Sequence, residues 1–460
     1  MEEKRVRESL GSRLGFIFMA AGCAIGLGNV WRFPFITGRY GGAAFVLVYL
    51  ILLVFIALPI LIMEFSVGRA SQQSIIGSFE KLQPKGTRWS IWGYFGMAAN
   101  YILMMFYTTV TGWMVAYMWY YVTGSLQGLS PDQVGAFFGG PEGLLASPWR
   151  MTWWLLVTVT FGAIVCYGGL RKSVEPVTKI MMSGLFILLI VLAVHSLSMP
   201  GAGEGLRFYL WPDFSKLSFE ALHAALGQAF FTLSVGIGSM AIFGSYIGRE
   251  RALTGEALIV TGIDTTVSFC AGLIIFATCF TYGVAPNAGP GLIFVTLPNM
   301  FNSMPNGRIW GFLFFLFMSL AAVSTVVAVF ELIIANFIDR LGWSRKKASI
   351  TTFVVIFVFS LPCVFGFNIW SHIQPLWRGS NIMSLLDFLV SNNLLPIGAL
   401  VYLLFCTSRY GWGWDNFIAE ANQGKGLKFA TALRPYFTYV VPCIIIFILV
   451  VRYIDIIQRF

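Results

Sequence analysis

Five ionisable side chains stand in stretches of this chain that are otherwise apolar: Arg32, Glu64, Asp264, Glu331 and Asp387. A charge in such surroundings has to be paired, hydrogen-bonded or neutralised. Asp264, in the run Ile263-Asp-Thr-Thr, has no basic residue near it in sequence, so its partner is either a bound cation or a basic residue from a distant segment. Ser324 and Thr325 follow Ala321 at helical spacing. Such hydroxyls commonly bond back to a carbonyl one turn earlier. One carbonyl and two adjacent hydroxyls also supply half the oxygen ligands of a hard cation. Residues 21–35, AGCAIGLGNVWRFPF, add three glycines, an amide and a cation in one apolar segment. Gly22 and Gly26 form a G-x-x-x-G packing motif, which accounts for neither Asn29 nor Arg32. Catalysis has no comparable support. His195, His223 and His372 are scattered without ligand spacing, and no nucleophile–base pair is evident. The seven cysteines read as small packing residues with no disulfide framework and no C-x-x-C.

The elements that must position these groups are membrane helices. The 460 residues are 57% hydrophobic and only 11% charged, where a soluble chain carries about 25% charged residues. Apolar runs long enough to cross a bilayer recur along the chain, and we expect eleven: 14–37, 43–70, 90–123, 150–168, 177–198, 220–247, 254–283, 308–339, 348–370, 382–406 and 432–457. With the N-terminus cytoplasmic, most basic residues fall on the inner side, leaving the C-terminus outside. The net charge of +10 therefore reports topology rather than a nucleic-acid partner. Residues 1–13 are charged and no A-x-A site follows, so no cleavable leader is expected. The connection 285–307, with prolines and glycines around an apolar piece, reads as a re-entrant or capping loop.

Two expected spans are punctuated by glycine: the first (Gly22, Gly26, Gly28) and the sixth (Gly227, Gly236, Gly238, Gly244). They lie five spans apart, and interrupted spans at matching positions of two halves point to a transporter's binding site. An unwound turn frees the carbonyls of Gly22, Ala24 and Ile25 for a cation, and the amides near Gly26 and Gly28 for a carboxylate.

The chain resembles the neurotransmitter:sodium symporter family in its short bacterial form, from about Arg7 onward. The resemblance rests on RLGFIFMAAGCAIGLGNVWRFPF (13–35), GQAFFTLSVGIGSM (227–240) and LIIANFIDRLGWSRKK (332–347). It implies an all-α polytopic membrane protein with the leucine-transporter fold, spans one and six unwound mid-membrane. The two inverted repeats would cover about 14–198 and 220–406, with an extra helix at 432–457, all in one transmembrane domain. It further implies symport of sodium with a small amino acid or amine, and no organic cofactor. By resemblance, one sodium site comprises Ala24, Asn29, Thr232 and Asp264, completed by the substrate carboxylate. The second comprises Gly22, Ile25, Ala321, Ser324 and Thr325. Substrate contacts carried over are Ala24, Ile25, Gly26, Leu27, Gly28, Tyr107, Phe231, Thr232, Ser234, Ile237, Thr325 and Val329, with Tyr107 donating to the carboxylate and Phe231 as lid. Arg32 with Asp387 corresponds to the outer gate, and Arg7 with Asp339, supported by Tyr246, to the inner.

Three departures refine the expectation. Amine carriers of the family place aspartate where Gly26 stands, so an amino acid is expected here. Chloride-dependent members have asparagine at the place of Asp264, with a serine like Ser268 completing the chloride site; a carboxylate there points to chloride independence. Leu10 replaces a tryptophan common in the inner gate, which implies weaker closure at that end. The apolar contacts Ile25, Phe231, Ile237 and Val329 suit a neutral hydrophobic or aromatic amino acid. Asp264 is titratable, so proton coupling is the alternative within this class. A channel or receptor is a second class, but channels usually build pores from repeated elements of several subunits, and one internal site between two broken helices favours transport. A bacterial or archaeal cytoplasmic membrane follows. Oligomeric state is not legible.

Overall fold

The computed structural model describes residues 10–284 and 291–459. Arg7, expected in the inner gate, and residues 285–290 of the long connection lie outside the described residues. Helices form the whole architecture among the described residues, apart from one isolated bridge between Arg251 and Lys425.

In chain order the helices are α1 (Arg13–Ala24), α2 (Gly28–Arg39), α3 (Ala43–Ser71), α4 (Ser90–Thr123), α5 (Pro148–Tyr167), α6 (Leu170–Leu197), α7 (Phe219–Thr232), α8 (Ser239–Gly244), α9 (Leu253–Thr281), α10 (Gly307–Leu341), α11 (Arg345–Phe365), α12 (Ile382–Thr407) and α13 (Thr431–Val451). Nine of these are individually long and apolar enough to span a membrane among the described residues. The pair α1–α2, bent by 51° at its break, makes a tenth. The expected sixth span, 220–247, is interrupted: α7 and α8 flank six non-helical residues, and neither piece alone reaches spanning length. The expected count of eleven treats that pair as one broken span.

Six short π-helical segments punctuate the helices: Gly28–Arg32, Leu53–Ala57, Leu170–Val174, Leu292–Thr296, Val390–Leu394 and Tyr436–Val440. Each ends two residues before a proline: Pro34, Pro59, Pro176, Pro298, Pro396 and Pro442. Proline lacks an N–H and its ring clashes with the carbonyl four residues earlier. Widening the preceding turn relieves the clash, and the N–H just ahead of the proline then reaches five residues back, as Phe33 does to Gly28 and Leu58 to Leu53. The widened turns therefore follow from the positions of these prolines.

The two longest helices, α4 and α10, pack together through the centre, and α1 lies against α6, α9 and α10. α8 packs on the second half of α3, and α7 on its first half. At the end of α3 the Arg69 guanidinium is fully buried. It donates to Glu420 Oε1 at 2.7 Å, to the Glu420 carbonyl and to the Arg251 carbonyl at 2.7 Å, and so ties α3 to the short helix Trp414–Ala421. Removing one partner of a buried pair strands the other, at a cost of roughly 3–5 kcal/mol. Arg69→Met is therefore expected to lower the melting temperature in detergent by several degrees. An unchanged melting curve would show that Arg249, 3.4 Å from Glu420, suffices alone.

Candidate functional site

α1 stops at Ala24 because Ile25 leaves the helical region (φ −72°, ψ 106°). Carbonyls at a helix C-terminus carry partial negative charge and lack partners within the helix. Two hydroxyls of α10 meet them. Ser324 Oγ lies 3.0 Å from the Gly22 carbonyl, 3.4 Å from that of Ile25 and 2.9 Å from that of Ala321. Thr325 Oγ1 lies 3.2 Å from Gly22, 3.4 Å from Cys23 and 3.1 Å from Ile25. The bond that Ser324 was free to make back to its own helix is thus only one of three. Two hydroxyl hydrogens face four carbonyl oxygens, an acceptor-rich cage of the chemistry a hard cation requires. All five residues carried over to the second sodium site meet here, together with Cys23.

A second acceptor-rich cluster surrounds Asp264 on α9, which is fully buried and has no ion-pair partner among the described residues. Asn29 Nδ2 sits 2.7 Å from Asp264 Oδ1, 3.2 Å from the Asp264 carbonyl, 3.0 Å from Thr232 Oγ1 and 2.8 Å from Ser268 Oγ. Thr232 Oγ1 donates to Asp264 Oδ2 at 3.0 Å, and Asn29 Oδ1 accepts the Gly26 N–H at 3.0 Å. Asn29, Thr232 and Asp264 therefore converge from α2, α7 and α9.

Between the two clusters lies a central cavity of about 20 Å³, walled by Ala24, Gly26, Gly28, Tyr107, Phe231, Ser234, Ile237 and Thr325, and also by Cys23, Leu103 and Leu395. Ile25, Thr232 and Val329, expected as contacts, are buried nearby but not on its wall. Leu27 faces a larger vestibule of about 740 Å³, which shares Tyr107 and Phe231 with the cavity. Tyr107 Oη accepts the Leu27 N–H at 3.0 Å, leaving its own hydrogen for another acceptor. Ser234 adopts a left-handed backbone (φ 51°) and donates to the Cys23 carbonyl at 3.3 Å, joining the two broken spans.

At the vestibule end the Arg32 guanidinium lies 4.6 Å from the centre of the Phe231 ring. Its closest approach to Asp387 is 3.8 Å, and Ser391 bridges them: Arg32 Nη1 donates to Ser391 Oγ at 2.8 Å, which donates to Asp387 Oδ1 at 2.6 Å. Sequence reasoning passed over Ser391, an ordinary serine one turn beyond Asp387. At the opposite end Asp339 accepts the Ser74 N–H at 2.6 Å. Tyr246 donates to Glu331 Oε1 at 3.2 Å, and Glu331, fully buried, is held by Arg345 at 2.7 and 3.0 Å. Arg345 was legible only as one of the basic residues following α10. Its pairing with a buried carboxylate requires the chain reversal between α10 and α11.

Residues 7–132 and 143–459 match the sodium:neurotransmitter symporter family. The chain belongs to that family. It is a sodium-dependent transporter of the family and not an enzyme. An uncharacterised sodium-dependent transporter of Bacillus subtilis is 34% identical, covering 95% of this chain and 96% of the relative. One from Haemophilus influenzae is 32% identical, over 96% and 98% respectively. The crystal structure of MhsT in complex with L-phenylalanine matches with a TM-score of 0.88 at 38% identity, covering 97% of this chain and 99% of that one. The family member described here thus has the leucine-transporter fold and is a multi-pass membrane protein.

Proposed function

We propose that this transporter imports a neutral hydrophobic or aromatic amino acid, driven by two sodium ions and independent of chloride, by alternating access. One observation carries the reading: two acceptor-rich clusters flank a single cavity at the breaks of two spans, and Thr325 serves both the cavity and one cluster. The first ion lies among Ala24, Asn29, Thr232, Asp264 and the substrate carboxylate. The second lies among Gly22, Ile25, Ala321, Ser324 and Thr325. The substrate carboxylate meets the Gly26–Gly28 amides and the Tyr107 hydroxyl, with the side chain against Leu103, Phe231 and Ile237. A carboxylate that is itself a sodium ligand makes each ligand raise the affinity for the other. Relatedness to a phenylalanine-bound structure supports the substrate class.

Arg32, Ser391 and Asp387 form the outer gate over the Phe231 lid, and Asp339 with Tyr246 belongs to the inner. The two repeats, 14–198 and 220–406, rock about this centre, with the N-terminus cytoplasmic and the C-terminus outside in a bacterial or archaeal cytoplasmic membrane. Proteoliposomes free of internal sodium and potassium, given inward sodium, potassium or proton gradients, test this with a labelled amino-acid panel. Phenylalanine or leucine is expected to accumulate only with sodium, and replacing chloride by gluconate is expected to leave uptake unchanged. Accumulation that survives sodium removal sinks the symport reading; uptake lost in gluconate sinks the chloride reading alone.

A further inference from the structure

Asn100 lies on no wall of the cavity or the vestibule, yet it holds the cavity in shape. On α4 it shares a face with Leu103 and Tyr107, three and seven residues on, and both of those line the cavity. Asn100 is fully buried. Its Nδ2 donates to the Gly96 carbonyl in its own helix at 2.8 Å and, across the interface, to the Ile237 carbonyl at 2.9 Å. Its Oδ1 accepts the Ser239 hydroxyl at 3.0 Å. Both amide hydrogens are thereby used, and the carbonyl is occupied.

What it grips is the break in the sixth span. Leu233–Gly238 has no helical ladder, and Gly236 and Gly238 take positive φ of 101° and 75°. Ile237 is fully buried and lines the cavity. From other sides, the Glu64 carboxylate accepts the Gly236 N–H, and the Leu395 carbonyl packs so closely that a Cβ on Gly236 would come within 2.2 Å of it. Among the described residues, the side-chain hydrogen bond that holds Ile237 itself comes from Asn100.

We propose that Asn100 is a positioning residue that sets the depth of the side-chain end of the substrate cavity and thereby selects substrate by size. This rests on the reading that the cavity takes an amino acid. Because the Ile237 wall moves with its carbonyl, releasing Asn100 lets the wall recede toward the vacated space. Bulky side chains then gain relative to small ones. One hydrogen bond of this kind corresponds to about a three- to tenfold change in an equilibrium.

The test uses the purified full-length protein, competition by valine, phenylalanine and tryptophan at fixed sodium, and a separate sodium titration of binding. In Asn100→Ala the ratio of tryptophan to valine affinity is expected to rise about fivefold, with half-saturating sodium unchanged. Ser239→Ala, which removes only the hydroxyl donating to Asn100, is expected to shift the same ratio in the same direction by less. It decides the matter if Asn100→Ala fails to fold. Variants that weaken all three amino acids by one common factor, or leave the ratio unchanged, overturn the proposal, because a merely structural role predicts those results. If the wild type binds none of the three, the substrate reading falls. Positioning is then judged by hydrogen exchange of the 235–239 amides, which Asn100→Ala should accelerate; unchanged exchange overturns it.

Discussion

Gly26→Ala is expected to abolish substrate binding while leaving the protein folded. A Cβ on Gly26 would stand 2.0 Å from Tyr107 Oη, 3.2 Å from Tyr107 Cζ and 2.6 Å from Thr325 Oγ1. Neither neighbour can retreat freely. Tyr107 is 2% exposed and accepts the Leu27 N–H, while Thr325 is engaged with the α1 carbonyls. Overpacking a site of this kind costs about 1–3 kcal/mol, and losing a hydrogen bond to a charged group a further 1.5–3 kcal/mol. Together they correspond to roughly 10²- to 10⁴-fold in affinity. Equilibrium binding of labelled phenylalanine in sodium measures this, beside the melting temperature of the unliganded protein. Gly28→Ala is the internal comparison, since its Cβ meets Phe231 Cδ1 at 2.7 Å and that ring is only partly buried against the vestibule. A milder loss is expected there. Equal losses at both positions would mean that Tyr107 is not the decisive neighbour.

If the proposed chloride independence holds, Asp264→Asn should yield a transporter that chloride stimulates. The substitution preserves shape and removes the only formal charge of the Asn29–Thr232–Asp264 cluster, which no basic side chain among the described residues pairs. A sodium ion there would then keep the substrate carboxylate as its single anionic ligand, and removing one charged partner of a buried ion costs several kcal/mol. Uptake in gluconate is expected to fall at least about tenfold, with half-saturating sodium raised by a similar factor. Added chloride is expected to restore part of the rate, because Ser268 Oγ already lies 2.8 Å from Asn29 Nδ2 and can turn its hydrogen toward an anion. If the variant keeps wild-type uptake in gluconate, the carboxylate does not serve as the fixed counter-charge.

What could be read before folding was set by what a membrane penalises. Backbone left unpaired in hydrocarbon is costly, so the glycines at 22, 26, 28, 236 and 238, with Asn29 beside them, and the lone Asp264 were conspicuous against apolar neighbours; Ser324 and Thr325 stood out as adjacent hydroxyls after Ala321, and Thr232 was placed by the family resemblance. The partners that had to come from elsewhere were not. Ser391 is unremarkable in sequence, and its value lies in standing between Arg32 and Asp387. Asn100 becomes meaningful only once α4 is laid against the break at Ile237. Glu331 plainly needed a partner, but Arg345 supplies it through a turn whose geometry no periodicity reports. The proline-linked π segments were within reach of the sequence, since each follows from one ring and one missing N–H.

A central cavity of about 20 Å³ has room for about one water molecule. Protons cross membranes along unbroken files of water, and a single water under an aromatic lid is not a file. In the conformation described, no such file runs through the central cavity. The same tightness makes the cargo a wedge: an amino acid has to part Phe231 and Ile237 to enter, so arrival of the passenger and movement of the walls are one event.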